Sequence, residues 1–330
     1  MRFVKASAPG NLFFAGEHAV VYGHPGIIAA IGKRTYCIAS KRTDNMVLID
    51  SKEFGKASGL LESATITSRE GKKELMPLFN LIEILAKKHE IKKGLELKIE
   101  SEIAIESGMS SSTAVLSAIL CSVNELLGLG IEKKEYFDYL YPLQVEIHGG
   151  KASGSEIISS SIGGYHRIQK IEEKGKARLT WKSLGEHSFS VVVGNTLVRA
   201  PTMLTVKHHM PSLMKRFPGV VEQAFERITV ICNKMEKALQ SEDVELLGIL
   251  MNENQRLLAE LGLSHPKLDD CINEALKAGA LGAKLSGGGW GGAMFALVKE
   301  GDEQKVAKAI ESTGAEAIIT TIGGAGARCE

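Results

Sequence analysis

Neither sign of charge dominates this chain. Its 330 residues carry 40 Lys and Arg against 39 Asp and Glu, a formal net charge of +1. That balance offers no basic field, so neither nucleic acid nor an anionic membrane is expected as a partner. Paired cysteines are missing as well. Cys37, Cys121, Cys232, Cys271 and Cys329 lie far apart, with no CxxC among them. An odd, scattered set fits a reducing cytosol and argues against a disulfide framework or metal cluster. No signal peptide is evident and no apolar run is long enough to span a bilayer, so a cytoplasmic location is expected. There is no G-x-x-x-x-G-K-[ST], and no G-x-G-x-x-G follows an early strand. The first absence removes the P-loop and the second disfavours a dinucleotide fold.

What is present is a chain long enough for two domains. Its 44% apolar and 24% charged residues are ordinary for a globular protein. Several of its 35 glycines are grouped in loops. The most informative group is Glu106–Ser107–Gly108–Met109–Ser110–Ser111–Ser112–Thr113–Ala114. Before it, Leu95 to Ile103 alternate apolar and polar, the period of a half-buried strand. After it, Ala114 to Cys121 are small and apolar enough for a buried helix. The order strand, Gly/Ser loop, helix puts hydroxyls and free N–H groups at a helix N-terminus. Such a terminus suits a phosphate, and hydroxyls suit Mg²⁺, which takes oxygen ligands. An ordinary serine N-cap is the competing reading.

Elsewhere, Arg2 to Ala8 reads as a strand, and Pro9 to Pro25 as strand, turn and strand. Glu17 and His18 stand side by side in that stretch, either as a buried hydrogen-bonded pair or as a polar pair facing substrate. Residues 75–90 have helical periodicity. The helix that begins at Ser112 ends within Asn124 to Gly130, with glycine as its C-cap. Lys133 to Gln144 reads as a helix kinked or broken at Pro142. A second Gly/Ser loop runs from Ile147 to Glu156. A composition shift near residue 180 divides the chain into 1–180 and 181–330. Helices are expected over Val220–Leu239, Val244–Leu261 and Leu268–Lys277. A third glycine loop, Ser286 to Gly292, leads into a strand, and a helix from Glu303 and a strand from Ala315 follow.

Three glycine loops in this order resemble the GHMP kinase superfamily. Ala8–Pro9–Gly10–Asn11 through Glu17–His18 to Gly23 is similar to the first motif of its mevalonate kinase branch. Ser107 to Val115 resembles the family phosphate loop, and Lys284 to Gly292 the third motif. Met251 to His265 is similar to mevalonate kinases in particular. The resemblance implies a two-domain α/β (α+β) fold. Its N-terminal domain would be ribosomal-protein-S5-like, and its C-terminal domain an antiparallel sheet with helices. It implies ATP- and Mg²⁺-dependent phosphorylation of the 5-hydroxyl of mevalonate in the isoprenoid pathway. A phosphorylated mevalonate or another small alcohol as acceptor, and a nucleotide-binding pseudokinase, stay open beside it. By motif position, Gly108, Met109, Ser110, Ser111, Ser112 and Thr113 would bind ATP. Ser112 and Glu146 would hold Mg²⁺, and Glu17, His18, Thr202 and Gly288 would line the acceptor site. A homodimer is expected from the family.

Two positions depart from the family pattern. Asn11 stands where a lysine is usual, and Glu156 where an aspartate is usual. Glu156 keeps a carboxylate for a catalytic base, and Lys151 in the same loop could replace the missing charge. Trp290 replaces a glycine in the third loop.

Overall fold

The strand that fixes the architecture is the long one near the N-terminus. The computed structural model describes residues 2–330 except 105–107, 148–151, 174–175 and 201. Strand β1 (Phe3–Ala15) turns back into β2 (Pro25–Lys41). The run Gly26–Ile27–Ile28–Ala29–Ala30–Ile31 is buried throughout, which only a strand covered on both faces tolerates. From Thr35 the burial alternates more loosely. Gly10 lies at a register shift in the β1–β2 pairing. A Cβ there would stand 2.5 Å from the Met109 carbonyl oxygen. Only glycine lets this bulge meet the loop from the other side.

Strands β3 (Met46–Ser51), β4 (Gly55–Glu62) and β5 (Thr65–Glu70) form a meander. Helix α1 (Met76–His89) and β6 (Leu95–Ser101) follow, and β6 pairs with both β2 and β3. Helices α2 (Ser111–Leu127) and α4 (Ser155–Ile162) pack on β1 and β2, and α3 (Tyr136–Ile147) packs on α1, α2 and α4. Strands β7 (Tyr165–Glu173) and β8 (Lys176–Gly185) make a hairpin on β2, and β9 (Phe189–Asn195) enters the second half. Then come α5 (Thr202–Leu204), a π-helical turn, α6 (Met210–Arg216), α7 (Pro218–Gln240), α8 (Val244–Glu260) and α9 (Pro266–Lys277). The chain ends with β10 (Gly282–Ser286), β11 (Ala293–Leu297), α10 (Glu303–Glu311), β12 (Glu316–Ile322) and β13 (Arg328–Cys329).

The strands join in the order β10-β11-β9-β12-β2-β6-β3-β4-β5. The two halves meet where Ile322 of β12 pairs with Ile31 of β2. One core, around Phe79, Leu97 and Leu120, belongs to the first half apart from Ala327. The other joins Leu12, Phe14 and Ile27 to Val192, Phe225, Leu258 and Phe295. Among the described residues no helix is long and apolar enough to cross a membrane.

Two expectations are corrected. Ala19–Tyr22 is a 3-10 turn rather than a second strand, closed by Gly23 at φ 90°. Helix α3 runs on through Pro142. The helix is therefore not broken there: the ring removes one hydrogen bond, but Tyr136, Tyr139, Leu140 and Leu143 bury one face on both sides of it.

Strand β10 ends the sheet, and α8 closes its open edge. The Asn252 side chain accepts from the Ala283 N–H at 2.9 Å and donates to the Leu281 carbonyl at 3.3 Å. Gln255 accepts from the Leu285 N–H at 2.9 Å. Backbone contact this close requires glycine on both sides: a Cβ on Gly282 would lie 2.3 Å from the Gly248 carbonyl oxygen. Gly282→Val should therefore push α8 off β10 and cost roughly 1–3 kcal/mol, read as a lower urea midpoint. Gly219, in α7, faces open space, and Gly219→Ala should instead be neutral or gain up to about 1 kcal/mol.

Candidate active site

A cavity of about 800 Å³ opens between the two halves. Phe54, Leu75, Pro77, Leu78, Val115 and Leu116 give it an apolar wall. Gly108, Ser110, Ser111, Ser112, Glu156 and Gly288 give it a polar one. Six residues singled out in the sequence thus meet in one space. Among the described residues lining it, the cations are Lys73 and Arg199.

Helix α2 points its N-terminus at this cavity. Gly108 holds φ 74° and Ser110 holds φ 58°, ψ 42°, so the loop folds tightly under the first turn. Ser110 is the N-cap residue, yet its side chain makes no capping hydrogen bond. The first-turn N–H groups carry positive potential toward the cavity and suit an anion. The Ser112 side chain is exposed there, whereas Met109 and Thr113 are buried and do not line it. Asn11 is 1% exposed and does not line the cavity either. Its Nδ2 donates to the Ser160 hydroxyl and the Glu156 carbonyl, and its Oδ1 accepts from Ser110. It ties β1 to α2 and α4.

The third loop hangs from buried polar groups. Glu17 and His18 follow Gly16 at the end of β1, and neither lines the cavity. Glu17 forms an ion pair with Lys284 of β10, both out of reach of water. Lys284 also donates to the Phe13 carbonyl at 3.2 Å and to the Leu285 carbonyl at 2.6 Å. Asn254 of α8 donates to the second Glu17 oxygen at 3.4 Å. Burial pushes the Glu17 carboxyl up and the Lys284 ammonium down, and their attraction opposes both shifts. His18 donates from Nε2 to the Gly288 carbonyl at 3.1 Å, while the Phe13 N–H donates to the Ser286 hydroxyl at 3.2 Å. Trp290 braces the far side of the loop. Its indole N–H donates to the Gly262 carbonyl at 2.7 Å, and its ring packs edge-on to His209.

Glu156 sits in the first turn of α4, half-buried, within 3.4 Å of the Ser153 and Ser155 hydroxyls. Glu146 is exposed, and both of its carboxylate oxygens accept from Asn80. It does not line the cavity. Lys151 lies outside the described residues, as does the Thr202 side chain. Among the described residues no three His, Cys, Asp or Glu side chains gather as a metal cluster. The donors lining the cavity are hard oxygens, the Ser112 hydroxyl and the Glu53, Glu74 and Glu156 carboxylates among them. They fit a Mg²⁺ whose other ligands are phosphate oxygens and water.

Sequence reasoning left Arg199 and Lys284 without roles. Lys284 had a signal: a charged residue within a strand otherwise made of small and apolar ones is seldom left unpaired. Nothing local marked Glu17 as its partner.

Comparison with known proteins matches residues 78–164 to the GHMP kinases N terminal domain and residues 235–316 to the GHMP kinases C terminal model. Mevalonate kinase of Pyrococcus horikoshii is 32% identical over 100% of this chain and 98% of its own length. That of Pyrococcus furiosus is 33% identical over 99% and 98%. Among solved structures, L. major mevalonate kinase in complex with R-mevalonate superposes with a TM-score of 0.81. It is 22% identical and covers 98% of this chain and 96% of its own. The Methanococcus jannaschii mevalonate kinase gives 0.80 at 22% identity, over 97% and 98%. At that identity these two structures speak to the fold.

Burial lowers the His18 imidazole from 6.5 to about 4, against the pull of its Gly288 hydrogen bond. The ring is neutral at pH 7. Between about pH 6.5 and 4 the unfolded chain binds a proton there that the folded chain refuses, so stability falls as pH falls. Over that window His18→Gln should flatten the pH dependence of unfolding by up to roughly 1.4 kcal/mol per pH unit. Equal slopes for parent and variant in urea titrations would contradict the assignment.

Proposed function

The chain belongs to the GHMP kinases, and on that premise we propose that it transfers the γ-phosphoryl group of ATP to the 5-hydroxyl of mevalonate. The product is 5-phosphomevalonate, an isoprenoid precursor. The observation that carries this reading is the cavity, which takes in both the open N-terminus of α2 and the Glu156 carboxylate. Full-length similarity to mevalonate kinases selects the acceptor.

Phosphoryl transfer needs positioning and charge neutralisation more than covalent chemistry. The N–H groups that open α2 hold phosphate oxygens, and Gly108 lets the backbone approach them. Lys73 and Arg199 add positive charge from the wall. Glu156 orients the acceptor hydroxyl toward the γ-phosphorus and takes its proton. Ser112 would hold Mg²⁺, which when bound offsets the charge on the phosphates. Glu17 and His18 act through the third loop, which sets Gly288 at the cavity wall. The division into 1–180 and 181–330 belongs to this reading, since the two family matches fall on either side of it. So do the cytoplasmic location and the homodimer, the latter checked by sedimentation.

Purified protein with Mg²⁺ and ATP should release ADP when mevalonate is added, with 5-phosphomevalonate appearing by mass spectrometry. ADP release with a phosphorylated mevalonate alone would move the acceptor, and none with either would remove the catalytic reading. Glu156→Gln should lower kcat by roughly a hundredfold or more with little change in KM. Ser112→Ala should lower it by about tenfold, which is about 1.4 kcal/mol of barrier.

A further inference from the structure

Ser110 stands at the N-cap of a 17-residue helix and does not cap it. Serine is among the preferred residues for that place, where its oxygen normally accepts from the N–H two or three positions on. Here those would be the N–H groups of Ser112 and Thr113. Instead Ser110 is left-handed, at φ 58°, and its hydroxyl donates to Asn11 Oδ1 at 2.8 Å. A non-glycine residue holds that conformation only when its surroundings impose it.

The surroundings do so through Asn11. Its own N–H donates to the Met109 carbonyl at 3.1 Å, so β1 runs directly beneath the loop. Its Nδ2 donates to the Glu156 carbonyl at 3.4 Å and to Ser160 Oγ at 3.3 Å. A carbonyl can only accept, so this contact fixes which end of the amide faces which way. The oxygen is left facing Ser110. A lysine at this position has no acceptor and could not hold the hydroxyl.

We infer that Asn11 is a positioning residue that draws the Ser110 hydroxyl off α2 and so keeps the helix N-terminus open for the phosphates of a nucleotide. A capping hydroxyl and a phosphate oxygen compete for the same N–H groups. Asn11 removes the internal competitor without touching the ligand. The inference rests on the kinase reading for the identity of the anion.

The test measures Mg·ATP binding by calorimetry with no acceptor present. Asn11→Ala should weaken binding about fivefold, which is about 1 kcal/mol, because the freed hydroxyl swings into the cap. Against a Ser110→Gly background, which accepts a φ of 58° and carries no hydroxyl, Asn11→Ala should change the affinity by no more than about twofold. A substitution that merely loosened β1 would weaken binding in that background too. In the unliganded protein, amide exchange at Ser112 and Thr113 should slow in Asn11→Ala. If that variant does not fold, Asn11→Leu keeps the buried volume without the acceptor. A parent that does not bind Mg·ATP brings down the kinase reading and the inference together. A parent that binds, with Asn11→Ala equally tight, with the same loss from Asn11→Ala in the Ser110→Gly background, or with amide exchange unchanged, overturns the inference alone.

Discussion

A cation cut off from water dictates much of this architecture. The Lys284 ammonium stays charged only if a carboxylate and carbonyls surround it, since an unpaired buried charge is costly. Glu17 supplies the carboxylate from the turn after β1, and Phe13 and Leu285 supply the carbonyls. That turn must therefore reach across to β10. Gly16 allows it, because a Cβ there would meet the Gly26 backbone at 2.4 Å. Asn254 takes the remaining carboxylate oxygen, which draws in α8. An apolar pair of equal volume could fill the same space without the desolvation cost. The charged pair adds direction, since each ammonium proton has a separate partner at a fixed place. The third glycine loop inherits that placement where it leaves β10 and, through His18, at Gly288.

Much of the helical structure was legible because amphipathic stripes announce themselves. The stretches read as helices over Val220–Leu239, Val244–Leu261 and Leu268–Lys277 are α7, α8 and α9 to within a few residues. The cavity could be foreseen in part, because a Gly/Ser loop between a strand and a helix leaves hydroxyls and free N–H groups at a helix N-terminus. Ala19–Tyr22 could not, since a short apolar run between glycines looks the same as strand or as turn. Pro142 misled for a related reason. The proline is local, while the burial that outweighs it depends on what α3 packs against. The partners of Asn11 and Lys284 lie up to 149 and 271 residues away, and no local pattern encodes a contact of that span.

The stretch read as similar to mevalonate kinases in particular, Met251 to His265, builds the frame of the site. Asn252 and Gln255 bond the backbone of β10, and Asn254 bonds Glu17. These side chains do not line the cavity. They place the strand that carries Lys284 and Ser286. A run of amides on one helix can thus mark a branch of a family by building the frame around a site rather than by touching what binds there.

The amides along α8 have a consequence beyond the site. The outer edge of a terminal strand is a template on which a foreign strand can polymerise, and proteins defend such edges in different ways. On β10 the outward N–H groups of Ala283 and Leu285 are already taken by side chains of α8. At the other end of the sheet β5 is short and carries exposed Thr65, Thr67 and Glu70. One edge is sealed by internal bonding, and the other is made unattractive by polarity. Damage to α8 would unseal the first. Misassembly into fibrous aggregates would then be expected to start at β10, not at β5.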